Sequence, residues 1–200
     1  MPLVTTGGAA EIISLGTGYV PADPSGWIRT LCATGILTDH GTGRRARLDT
    51  AELAQFVARH PYRRTLPFGY LGVSLLELEP VPAWELAPPH NKFRTHGGYD
   101  HRNTVGLSPQ QRANAIVSSW PISRSSAQDV VDHGWPLIGC VRGVVNPDMI
   151  YWPTAVVPLG SGIGFRVDPD RQGHPEIPTG AILDVPRGNT FRLVPAGTTP

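Results

Sequence analysis

Two groups of residues carry most of the chemistry this chain offers. Arg44, Arg45 and Arg47 fall within four positions, beside Gly41 and Gly43. A guanidinium stays cationic and binds phosphate oxygens in pairs, so three on one turn are chemistry for a polyanion. Upstream, Ser25, Arg29 and Thr30 are the polar side chains of a helical stretch, with Arg29 the best placed in type for a base edge. The second group is His90, His96, Asp100 and His101, a metal-ligand or acid–base set by residue type. Its spacing matches no zinc pattern, and no nucleophile with a local signature accompanies it. We therefore expect a polar surface loop and no cofactor, with His90, His96 and His101 as the residues to watch for a metal.

The arginines need elements to hold them, and residues 23–59 supply a plan of helix, basic hairpin and helix. Asp23 caps a helix with Pro24 in its first turn; Trp27, Ile28 and Leu31 share a face, and Gly35 stops it. Ile36 and Leu37 begin an extended segment, Gly41 and Gly43 turn it, and the arginines return to Leu48. Asp49 with Glu52 three residues on reads as a capping box, followed by an apolar face of Leu53, Phe56 and Val57 and a stop at Pro61. An earlier helix is expected from Gly8 to Leu15, with Ile12 and Ile13 inward.

The runs Thr34-Gly35-Ile36-Leu37, Arg44-Arg45-Ala46-Arg47-Leu48 and Asp49 through Val57 carry a resemblance. In this order they resemble the winged helix-turn-helix domains of the MerR and excisionase type, over about the first third of the chain. The resemblance implies double-stranded DNA as partner, with Ser25, Arg29 and Thr30 toward a groove and Arg44, Arg45 and Arg47 on phosphates. The chain departs from the pattern at residues 16–22, a linker longer than the usual three- or four-residue turn.

Beyond Pro61 the pattern changes. Residues 62–67, with proline at the far end and Arg63-Arg64 inside, read as a linker between a module at 1–61 and a domain at 68–195; residues 196–200 read as a tail. Val73, Leu75, Leu76 and Leu78 read as a strand. Ser108-Pro109-Gln110-Gln111 and Ser123 open two helices, and runs at 136–145, 150–157, 163–167, 181–185 and 190–194 read as strands. Turns are expected at residues 146–148, 160–162 and 187–189. Gly160, Gly162 and Gly164 miss the dinucleotide spacing and precede no helix. The fold class is α+β: a small winged-helix module, then a β-rich domain with a curved sheet or partly closed barrel carrying two helices. The order of residues 118–145, tryptophan then helix then buried strand, is loosely similar to PUA-like and ASCH-type domains.

Composition limits the function. The 200 residues are 40% hydrophobic with net charge +1, enough for a core but without a broad basic field. Residues 1–64 hold seven arginines against five acids, so affinity for a polyanion rests on local clustering. No membrane-length apolar run occurs, and a cytoplasmic protein with no membrane partner is expected. Cys32 and Cys140 read as small core residues. The first reading is a non-enzymatic DNA-binding protein, a transcriptional regulator or recombination-directionality factor. A second is a virion or assembly subunit that associates with itself or its neighbours, built on a degenerate winged helix and suited by 23 glycines and 21 prolines. A third is a hydrolase using the His90–His101 loop.

Overall fold

The structure is a computed structural model that describes residues 2–42, 45–184 and 191–198. It begins with β1 (Leu3–Thr5), a strand ahead of the first expected helix, then α1 (Thr6–Thr17) and α2 (Pro24–Ala33). The Thr5 hydroxyl caps α1 by accepting from Gly8 N–H, and Asp23 Oδ1 caps α2 by accepting from Gly26 N–H at 3.0 Å. Strand β2 (Arg47–Asp49) pairs antiparallel with β1, Val4 opposite Leu48, and runs straight into α3 (Thr50–Arg59). Ile36 and Leu37 form no strand. Leu37 is buried in the core instead, and the loop after it is closed by Asp39, whose Oδ1 accepts from Gly41 and Arg47 N–H at 2.8 and 2.9 Å. The expected capping box is also replaced. Asp49 caps by accepting from Ala51 N–H, while Glu52 Oε1 turns away to accept from the N–H and hydroxyl of Thr38, both at 2.9 Å.

Tyr62–Arg63, expected in a connector, forms β3 and pairs parallel with a strand more than a hundred residues away. Strand β4 (Tyr70–Ser74) follows; Leu75 to Leu78 lie outside it, and Leu76 is exposed, so the strand lies earlier than the leucine pattern indicated. Two short strands, β5 (Glu79–Pro80) and β6 (His96–Gly97), flank a one-turn helix, α4 (Ala83–Leu86). Helix α5 (Pro109–Val117) opens with the expected box, Ser108 Oγ accepting from Gln111 N–H and Gln111 Oε1 from Ser108 N–H. Helix α6 (Arg124–Asp132) opens on Ser123, which accepts from Ser126 N–H. The rest is β7 (Leu137–Cys140), β8 (Val144–Val145), β9 (Ile150–Leu159), β10 (Gly162–Gln172), β11 (Ala181–Leu183) and β12 (Phe191–Val194). A 3-10 turn spans Pro147–Met149, where a turn was expected; the turn expected at 187–189 lies outside the described residues.

The class is α+β, and its sheets are open. Five strands run in the order β10-β9-β7-β4-β12, with only β4 and β7 parallel, and a three-stranded sheet runs β3-β11-β8. Side chains alternate across the central strands. Leu71, Val73 and Leu137 join a cluster with Ile116, Val117 and Val130 of α5 and α6; Tyr70, Ile138 and Cys140 join another with Val145, Ala181 and Leu183. Strands buried on both faces explain the unbroken apolar run at 136–141. The small sheet is two-faced in the same way: Val144 and Ile182 belong to the cluster that holds Ile13, Trp27, Ile28, Leu31 and Leu53 of the N-terminal helices.

One hairpin locks these parts together. Val141 and Val144 exchange both backbone bonds at 2.9 Å around Arg142 (φ 51°) and Gly143 (φ 88°), the mirror-image turn that suits twisted strands. Its tip is fully used: the Trp27 indole N–H donates to Arg142 O at 2.9 Å, and Leu183 N–H donates to Gly143 O at 2.8 Å. A Cβ on Gly143 would meet Leu183 O at 2.5 Å, so glycine is required there.

Candidate nucleic-acid interface

Helix α2 sits with Trp27, Ile28 and Leu31 buried, and burying such side chains is worth about 1.5–3 kcal/mol each. That fixes which side faces out. Of the three groups expected to read bases, Arg29 is exposed, while Ser25 and Thr30 are half-buried. Thr30 donates its hydroxyl back to Gly26 O, and Ser25 Oγ accepts from Thr6. Arg29 alone projects freely. The far end of α2 is covered: His101 N–H donates to Thr34 O, and Arg102 donates to Ala33 O at 2.9 Å while lying across Gly35. Gly35 is at φ 74°, and a Cβ there would meet the Arg102 side chain at 2.6 Å, so it is both the helix stop and the seat for that arginine.

The basic loop is held from both ends. The backbone bond from Arg47, and after it that from Gly41, lowers the Asp39 carboxyl below its ordinary value, so the clasp stays ionised. Arg45 is exposed and Arg47 half-buried; Arg44 lies outside the described residues. Among the described residues, only two ion pairs form, Lys92 with Glu85 and Arg102 with Asp100, so Arg29, Arg45 and Arg47 keep their charge unpaired.

The polar loop does not gather its histidines. His90 packs edge-on to Trp84, His96 lies in β6 beside Thr95, and His101 bonds Tyr99 through Nδ1 at 2.8 Å. Among the described residues, no three or more His, Cys, Asp or Glu converge as a metal site. Asp100 is a turn-former: burial raises its carboxyl, but the Thr104 hydroxyl and N–H and the Arg102 groups outweigh this and the net shift is downward.

What the sequence reading missed is a polar seam under α3. His60 Nδ1 lies 2.9 Å from Phe56 O and its Nε2 2.7 Å from Asn146 Oδ1. Asn146 Nδ2 donates to the Tyr99 hydroxyl at 3.2 Å, which donates to Asp148 at 2.9 Å. A cleft of about 480 Å³ lies over this chain, bounded by Thr38, Glu52, Arg59, His101 and Thr179 among others. Its hydroxyls are engaged within the fold: that of Thr38 donates to Glu52, which also accepts from the Thr38 N–H, and that of Thr179 donates to Arg59 O. The seam is chemistry for holding elements together. No signal in the sequence marked it, since its members are scattered from residue 60 to residue 148.

No protein family, curated protein or solved structure matches the chain. Among the described residues, no helix is long and apolar enough to cross a membrane.

Proposed function

We propose that the protein binds double-stranded DNA through its N-terminal strand–helix–helix–loop–strand–helix unit, as a non-enzymatic regulator or recombination-directionality factor. The observation that carries this reading is the unpaired charge of Arg29, Arg45 and Arg47, on the exposed side of α2 and on a loop closed by Asp39. Of the three side chains expected at base edges Arg29 alone is free, so phosphate contacts dominate, and binding is salt-sensitive and modest in sequence preference. Each neutralised phosphate contributes about 0.9 to the slope of log K against log salt. Replacing Arg44, Arg45 and Arg47 by Ala should therefore reduce that slope by roughly two to three units in an anisotropy titration. Arg29→Ala should act on the preferred duplex, by about 1–3 kcal/mol. Absence of any duplex binding by wild type at about 50 mM salt would sink the proposal.

A second reading, an assembly or virion subunit, is favoured by one observation. Leu76, Trp84, Leu86 and Phe93 expose 38–70% of their surface on a single stretch of chain. Large apolar side chains left exposed mark contact surfaces where they cluster. Rings or large symmetric oligomers in sedimentation would favour it over the DNA reading.

A further inference from the structure

We infer that the DNA-binding surface does not end with the N-terminal unit but continues onto the β-rich body through Arg63, Arg64 and Arg142. The inference rests on the DNA reading above. All three side chains are exposed, and none forms an ion pair among the described residues. The fold brings them to one end of the three-stranded sheet. Leu183 pairs with Arg63 on one side and donates to Gly143 O on the other, so Arg63 and the hairpin tip lie two strand spacings apart, about 10 Å. Arg64 follows directly. The acid nearest in sequence to this corner, Asp184, is half-buried and acts on Tyr70.

The same corner touches α2. The Trp27 indole bonds the backbone of Arg142, and Tyr19 joins the rings of Trp27 and Tyr62 at 5.8 and 5.4 Å. The body's arginines are thus fixed relative to the helix that carries Arg29. The type of residue at 142 is a separate observation. The turn holds Arg142 in left-handed backbone, where asparagine before glycine is the favoured choice, yet among the described residues its hydrogen bonds there are made by backbone atoms. An arginine there is unfavourable for the turn and contributes nothing to the clasp. A phosphate contact accounts for it.

The partner is duplex DNA, and the probe is a random-sequence duplex titrated with salt. Arg142→Asn keeps the backbone clasp and suits the turn better, so its melting midpoint should equal or exceed that of wild type. Its affinity should fall several-fold and its salt slope shrink by about 0.9. Arg63→Gln with Arg64→Gln should shrink the slope by up to about twice that amount. If wild type binds and both variants keep its slope, the surface stops at the N-terminal unit and the inference fails while the DNA reading stands. If wild type itself does not bind, the DNA reading and its extension fail together. Should Arg142→Asn melt lower than wild type, the double glutamine variant decides by the same slope.

Discussion

His60 shows how a single side chain senses the packing around it. A carbonyl only accepts, so Nδ1 beside Phe56 O carries the proton. Nε2 then has a proton for Asn146 Oδ1 only when the ring is cationic; a neutral ring requires the amide turned to present its N–H. Burial, the largest effect, lowers the ring's pKa below its ordinary 6.5, and the Asn146 and Phe56 bonds oppose it while His101 and Arg59 repel a charge. The unfolded chain therefore takes the proton first. Stability is complete above about pH 6.5 and is lost as pH falls through the lower folded value. We expect the urea midpoint to drop between pH 7 and pH 5, and His60→Gln to flatten that slope. His174, also lowered mainly by burial, contributes to the remainder and should be Gln in both proteins compared. An unchanged slope in His60→Gln would mean the seam stays hydrated and free to charge.

At the scale of elements, the helices were legible because their signals are local. Asp23, Ser108 and Ser123 each cap the helix they precede, and Trp27, Leu31, Leu53 and Phe56 each face the core. Ser108→Ala should cost about 1 kcal/mol in denaturant unfolding, the usual value of a lost cap. The short strands were not legible. Three residues at Leu3–Thr5 or two at Tyr62–Arg63 are too few for alternation to register, and their partners are distant in sequence. Glu52 was misread for a related reason: the motif fits a capping box, but a tertiary partner, Thr38, competes for the carboxylate and holds it. Hydrogen exchange separates the two geometries. Glu52→Ala should deprotect the Thr38 amide and leave the Ala51 amide, held by Asp49, protected. Deprotection of the Asp49 amide instead would restore the capping box.

At the scale of the whole molecule, the division into a module and a domain is set against a shared interior. Trp27 and Ile28 belong to the same buried cluster as Leu71 and Phe165, and β3 completes the sheet that carries Ile182. Removing residues 1–64 would strip Val144 and Ile182 of their cover and break the β3 pairing. At about 1.5–3 kcal/mol for each large apolar side chain re-exposed, a few such losses equal the entire stability of an ordinary domain, roughly 5–15 kcal/mol. Arg63 and Arg64 are exposed and open to trypsin, yet cleavage there should not release a folded remainder. We expect one cooperative unfolding transition, with near-ultraviolet and far-ultraviolet signals coincident. A chain of residues 65–200 made alone should lack native near-ultraviolet dichroism. A soluble 65–200 fragment with that signal intact, or two separate transitions in the full chain, would show that the body stands alone and that the Trp27–Arg142 clasp joins two independent units.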